Sequence, residues 1–299
     1  MDGLTALESP LRFSYASTMR CASTLIQEGG EVCGKYCRQR WCLVCNRIRT
    51  AKLIGAYLPE MATWPDPYFV TLTIPNVEGP QLHNTVRAML RAMPKLARAI
   101  RRTDGLPVRA VRKLEVTWSP RHRNYHPHLH LIVDGRAVAD ALVRRWLAIN
   151  SAANPGAQDV RPCTGPAAMK ELFKYFTKLL AKGLDGERTA PPPRMLDTMF
   201  KAVRGLRTFQ PMGFITAKLD DADDAPLTLD ASTASPTWRE RVEWEWSGEL
   251  ADWVDYSTGA LLSGYEPPST MRALVDRIRA DAGKSGGNAG APEGPWPIK

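Results

Sequence analysis

The chain has 299 residues, 44% of them hydrophobic and 24% charged, values that suit a soluble globular protein with room for one well-buried catalytic domain and smaller additions. No run of about 18 apolar residues occurs, which argues against a membrane-spanning helix. The start, MDGLTALESP, lacks the basic-then-apolar order of a secretion signal, so the expected location is the cytoplasm, where thiols stay reduced. The net charge of +9 hides an asymmetry: residues 1–210 hold 32 Lys and Arg against 16 Asp and Glu, whereas residues 211–299 hold 8 against 15. So basic a front portion is the electrostatic footprint of a polyanion binder, or, more blandly, a solubilising surface.

In chain order, residues 21–50 are rich in Cys and Arg. Tyr68–Ile74 (YFVTLTI), bounded by prolines, predicts a buried strand. Gln81–Arg102 predicts a helix with apolar positions at Val86, Leu90, Met93, Leu96 and Ile100, kinked or split at Pro94. Val108–Trp118 and Tyr125–Val133 predict two strands; Pro127 suggests that the latter begins there or lies at an edge. Ala137–Ile149 predicts a helix with Leu142, Val143, Trp146 and Leu147 as its core stripe. Asp159–Cys163 predicts a short strand and Pro166–Lys182 a helix closed by Gly183. The order β-α-β-β-α-β-α is the ferredoxin-like split βαβ pattern, an α+β fold with an antiparallel sheet, helices on one face, and the other face free for a ligand or further cover. Arg207–Lys218 offers another strand. Beyond residue 219 the chain turns acidic. Trp238, Trp244, Trp246 and Trp253 stand among glutamates with neither period dominant, and the Gly/Pro-rich end from Lys284 reads as disordered. The expected division is a zinc-binding module at 21–60, a catalytic domain at 61–218 and an acidic region at 219–299.

Cys33, Cys37, Cys42 and Cys45 stand in CGKYCRQRWCLVC. Structural Zn²⁺ needs four ligands converging on a tetrahedron, and two closely spaced thiolate pairs supply them. Redox chemistry or coincidence is the alternative. Arg38, Arg40, Arg47 and Arg49 could touch phosphates or equally form a solvated rim, and Cys21 and Cys163 read as isolated thiols.

In YHPHLHLIVDG, His126, His128 and His130 alternate and so share one strand face, with Leu129 and Leu131 on the other. Two imidazoles about 6–7 Å apart along a strand can share one metal ion. If RKLEVTW pairs antiparallel with this strand, Glu115 lies beside His128 and His130 as a third ligand. Two imidazoles and a carboxylate leave open positions for a phosphate oxygen and water, which suits Mn²⁺ or Mg²⁺ acting as a Lewis acid. His126 orients a ligand or starts the strand; His83 and His122 have no such case.

The stretch MKELFKYFTKLLAK, as a helix, puts Met169, Leu172, Phe173, Phe176, Leu179 and Leu180 on one side and its charges on the other, with Tyr175 at the border. A phenol of pKa about 10 needs help to act as a nucleophile. Lys178 can stabilise the phenolate or the phosphate charge. Attack on a phosphodiester would leave a 5′-phosphotyrosine and a free 3′-hydroxyl able to prime synthesis. Glu171, one turn before, could then activate water or a second strand's hydroxyl. Alone, Tyr175 would be an ordinary boundary tyrosine.

Three motifs in this order, FVTLTIPN at 69–76, HPHLH at 126–130 and KYFTK at 174–178, resemble the rolling-circle plasmid replication initiators of the HUH endonuclease superfamily. The cysteine knuckle, the glutamate of LEVTW and Glu171 resemble one branch of it. The resemblance, over about residues 30–218, implies metal binding by His128, His130 and Glu115, a single nucleophile Tyr175, Glu171 as the water-activating residue and Lys178 as basic partner. It implies site-specific nicking and joining of plasmid origin DNA, single-stranded or hairpin at the nick, with host helicase and polymerase as further partners and no membrane. A transposase or relaxase of the same chemistry, a non-catalytic zinc-dependent DNA-binding regulator and a purely structural metalloprotein are the competing readings.

Overall fold

Strict alternation of side chains along three neighbouring strands builds both faces of the central sheet at once. The computed structural model describes residues 1–28, 31–173, 181–182, 188–189, 191–214, 241–248, 250, 252–255, 257–262 and 280. Its elements run α1 (Asp2–Thr5), α2 (Arg12–Met19), β1 (Thr24–Glu28), β2 (Glu31–Gly34), α3 (Leu43–Met61), β3 (Pro67–Thr73) and α4 (Gly79–Ala99), which a π-helical turn extends to Asp104. They continue with β4 (Ala110–Ser119), β5 (Asn124–Asp134), α5 (Arg136–Ile149), β6 (Asp159–Pro162), α6 (Gly165–Phe173), β7 (Ala181–Lys182), β8 (Arg188–Thr189), α7 (Pro193–Val203), β9 (Phe209–Met212), β10 (Arg241–Ser247), β11 (Asp252–Asp255) and β12 (Ala260–Leu261). No helix among the described residues is long and apolar enough to cross a membrane.

The chain divides into two units, Met1–Met19 with Arg38–Leu227, and Arg20–Cys37 with Thr228–Lys299. The first is α+β around an antiparallel sheet of order β6-β3-β5-β4-β9. Helix α4 links β3 to β4 and α5 links β5 to β6. One face presents Val70, Leu72, Leu114, Val116, Leu129, Leu131 and Val133, which pack with Leu82, Val86, Met93 and Leu96 of α4, Leu142 and Trp146 of α5, and Met199 of α7. The opposite face has two halves. Val111, Ile132, Phe69 and Phe209 form an apolar half under Leu53, Tyr57 and Met61 of α3 and Met169, Leu172 and Phe173 of α6. The half toward the β4–β5 hairpin is polar. Two glycines serve the backbone here. Gly135, with φ +96°, turns β5 into α5, and Gly213, with φ +80°, passes so close to Val108 that a Cβ would fall 1.5 Å from its carbonyl oxygen.

Several sequence expectations need correction. Helix α4 runs unbroken through Pro94, which sits on its exposed side; the carbonyl freed by the missing N–H can turn to water while Met93 and Leu96 stay buried. Strand β5 is central, not an edge, and Pro127 lies within it. Its ladder with β3 stops at the Thr73–His128 pair and a single bridge follows at Val77–Tyr125, so the proline falls where one flank is interrupted. The helix expected to reach Lys182 is described only to Phe173. Ala181–Lys182 instead pairs antiparallel with Arg188–Thr189. The second face, expected to be open to a ligand or further cover, takes cover on its apolar half from α3 and α6.

The second unit holds an antiparallel sheet of order β12-β11-β10-β1-β2. Trp244 packs with Ala22 and Leu25, and Trp246 lies opposite Trp253 with ring centroids 4.7 Å apart. Trp244, Trp246 and Trp253 therefore lie in strands, the last two in cross-strand aromatic contact, while Trp238 lies outside the described residues.

Candidate metal centre

The sheet register makes the polar half-face predictable row by row. Glu115, His128 and Thr73 lie side by side across β4, β5 and β3, and Lys113, His130, Thr71 and Asp159 form the next row, extended to β6. Of the residues proposed from sequence, this brings Glu115, His128 and His130 together. Their ligand atoms all lie within 4.8 Å of one another. Glu115 Oε2 is 3.3 Å from His128 Nε2 and 3.5 Å from His130 Nε2, while its Oε1 accepts a 2.6 Å hydrogen bond from Lys113 Nζ. Glu115 and Lys113 are 5% and 1% exposed, so this is charge held out of water.

The ring orientations follow from fixed partners. His128 Nδ1 lies 3.1 Å from the His126 carbonyl, which can only accept, so this nitrogen carries the proton and Nε2 keeps its lone pair. That lone pair then faces a carboxylate oxygen, and two acceptors at 3.3 Å require a cation between them, either a second proton or a metal ion. His130 Nδ1 is held 3.1 Å from Thr71 Oγ1, again leaving Nε2 toward Glu115. Two imidazole nitrogens and a carboxylate oxygen with their other sides anchored are a donor set that fits a divalent ion.

Titration supports a site ready to bind. Burial would raise the Glu115 carboxyl, but hydrogen bonds with His128 and His130 and the Lys113 charge outweigh it and hold the group well below the usual carboxylate range. Burial lowers His130, against the pull of Glu115 and with the repulsion of His128 and Lys113. Burial and the neighbouring rings of His128 and His130 push His126 down to about 4. Burial that favours the neutral form of His130 leaves that ring a lone pair to offer a metal ion. His126 stacks on His128 at 5.1 Å between ring centroids and is tethered through Nδ1 to Asn76 Oδ1 at 2.8 Å, so it orients its neighbour from the side.

Sequence reading missed Lys113 and Thr71. The signal for Lys113 was present, since it precedes Glu115 by two residues on the same strand face. Thr71 requires knowing that β3 pairs with β5 in this register.

Tyr175 and Lys178 lie outside the described residues, as does the side chain of Glu171. Helix α6, which leads toward Tyr175, is described to Phe173; that ring packs on Phe209, whose strand partner is Lys113. Of the cysteines, the side chain of Cys33 is likewise outside the description. In one unit Cys21 Sγ accepts from the Cys37 N–H at 3.4 Å. In the other, Cys42 occupies the position just before α3 and Cys45 sits in its first turn, both buried. Cys163 is a core thiol beside Phe69 and Met169, its pKa raised by burial.

Comparison with known proteins matches residues 32–134 to a family described as Replication protein. This stretch includes Glu115 and all three alternating histidines and ends before α6. A curated "Protein rep" of Staphylococcus aureus is 30% identical over 104 residues, 32% of this chain and 44% of that protein. A "Protein rep" of Streptococcus pneumoniae serotype 2 is 28% identical over 104 residues, 33% of this chain and 32% of that protein. The matched stretch therefore spans less than half the length of either relative. No solved structure matches the chain. The family match and both relatives agree with the resemblance carried by FVTLTIPN and HPHLH, which lie inside the matched stretch: this chain is similar to the rolling-circle plasmid replication initiators.

Proposed function

We propose that this chain is a metal-dependent tyrosine endonuclease and strand transferase that nicks and rejoins one DNA strand at a plasmid origin, initiating rolling-circle replication. The observation that carries this reading is the convergence of Glu115, His128 and His130 on the sheet face that α6 also packs against. The strand order and two helical crossovers support a ferredoxin-like HUH core, at about residues 61–218.

Glu115, His128 and His130 would hold Mn²⁺ or Mg²⁺, and the ion would supply a positive charge that withdraws electrons from the scissile phosphate. Lys113 fixes one carboxylate oxygen of Glu115, and Thr71 and the His126 carbonyl fix the two rings, so the ligands need not reorganise during the reaction. The Tyr175 phenol attacks phosphorus. A phosphorus–oxygen bond to the tyrosine forms, the bond to the 3′ oxygen breaks, and that oxygen takes a proton to leave a free 3′-hydroxyl. Lys178 stabilises the phenolate and the phosphate charge. One ester replaces another, so the strand can be resealed. Glu171 activates water or a new 3′-hydroxyl to release the phosphotyrosine. The cysteine module at 21–60 would hold structural Zn²⁺ through Cys33, Cys37, Cys42 and Cys45; the Cys21–Cys37 contact makes Cys21 a further candidate ligand.

The test is incubation of supercoiled origin plasmid with the wild type and Tyr175→Phe, with Mn²⁺ or with a chelator. Nicking by wild type with Mn²⁺ alone is expected. Undiminished nicking by Tyr175→Phe would refute the nucleophile, and binding without nicking would favour a regulator.

A further inference from the structure

The β4–β5 hairpin carries the sequence SPRHRN, which nothing in the metal centre uses. Within the first unit its tip forms one wall of an open groove of about 640 Å³, whose other walls are α1 and the start of α7. Trp118, Pro120 and Arg123 line the hairpin side; Pro193 and Arg194 line the α7 side and Leu7 the floor near α1. Aromatic and proline residues thus meet two arginines, and no acidic residue is among the described lining residues.

Two details mark this groove as more than a crease. The Trp118 indole N–H is buried and has no hydrogen-bond partner among the described residues. A buried donor without an acceptor is costly. Arg123, at the end of the hairpin loop, has φ +53°, a left-handed backbone that glycine or asparagine adopts more readily. An arginine there strains the turn and gives the fold nothing visible in return, whereas the residue lines the groove.

We propose that this groove is a second contact for single-stranded DNA, seating bases on Trp118 and the prolines while Arg123 and Arg194 hold the adjoining phosphates. The proposal rests on the reading that the metal centre acts on a DNA strand. Trp118 is paired with Tyr125, one residue from His126, and its side chain points to the sheet face opposite the metal ligands. Asn124, the first residue after the loop, is roughly 13 Å along β5 from His128. A strand leaving the metal centre at the hairpin end rounds the loop and enters the groove a few nucleotides from the cleavage position. Base stacking on an aromatic wall tolerates any sequence, and paired guanidinium groups read the backbone, so the groove holds the strand without specifying it.

The test uses the full chain carrying Tyr175→Phe, so that binding is read without cleavage, and oligonucleotides lengthened one nucleotide at a time on either side of the cleavage position. Wild-type groove residues should give a step in affinity once the strand is long enough to reach the hairpin. Arg123→Gly and Arg194→Ala should each remove several-fold of that gain and flatten the salt dependence by about one phosphate contact. Trp118→Ala should cost about tenfold or more. Arg123→Gly should unfold at the same temperature as the parent or higher, since glycine relieves the turn; this keeps the test valid if Trp118→Ala fails to fold. Unchanged affinity in both arginine variants at every length would overturn the proposal. So would a loss of thermal stability without a loss of affinity, which would assign the groove to a segment of this chain. Failure of all oligonucleotides to be cut by the wild type would instead count against the proposed function and leave the binding comparison intact.

Discussion

Strand β5 reads differently on its two sides, and the contrast explains how one short sequence encodes both fold and chemistry. Tyr125, Leu129, Leu131 and Val133 face α4, α5 and α7 and belong to the main core. His126, His128, His130 and Ile132 face the other way, where three imidazoles give over to an apolar residue under α3 and α6. Residues one position apart thus have separate duties, stability on one face and, in the function proposed above, ligation on the other. The imidazoles can be rigid because the leucines between them are packed.

That separation can be broken from either side. The largest effect is expected at the ligands: His130→Ala or Glu115→Ala should weaken divalent-metal binding at least a hundredfold, read by calorimetry, and abolish nicking. Leu131→Ala, one residue away, should instead cost about 2–5 kcal/mol of unfolding free energy in a denaturant titration while metal affinity of the folded fraction holds. If Leu131→Ala abolished metal binding in a protein still folded, the two faces would not be independent. Removing the hydrogen bond that orients His130, in Thr71→Val, should weaken metal binding about tenfold, and Thr71→Ser should restore it. A rescue failure would assign Thr71 to packing alone.

The smallest effect lies far from the site. Asp197 accepts hydrogen bonds from Ser9 at 2.5 Å, Tyr15 at 2.7 Å and Lys201 at 2.8 Å, tying the N-terminal helices to α7. Burial would raise its carboxyl, but Lys201, Ser9 and Tyr15 hold it below the ordinary value. A depressed folded pKa stabilises fully above the unfolded value of about 3.9 and is lost as pH falls through the folded one. Asp197→Asn should therefore be less stable than wild type by about 1–2 kcal/mol at pH 7, with the gap closing below pH 4. A gap that widened on acidification would contradict the assignment.

Much of the site was legible because its code is local. Alternation within YHPHLHLIVDG placed the histidines on one face, and the adjacent LEVTW brought Glu115 beside them through a short hairpin. What escaped depends on distant pairing. Thr71 reaches His130 only because β3 pairs with β5 across 59 residues of sequence. Pro127 was misread because a proline in a central strand is acceptable only where the neighbouring ladder lapses, and that lapse belongs to β3. The Trp246–Trp253 pairing was hidden because four tryptophans among glutamates fit neither period, and the strand type is settled by β1 binding β10 from over two hundred residues away.

The most direct test is the identity of the residue that becomes joined to DNA. Wild-type protein reacted with an origin oligonucleotide and Mn²⁺, then digested and sequenced by mass spectrometry, should yield a peptide bearing a 5′-phosphate ester on Tyr175. Cleavage that proceeds with no covalent adduct, or an adduct on any other side chain, would contradict the account.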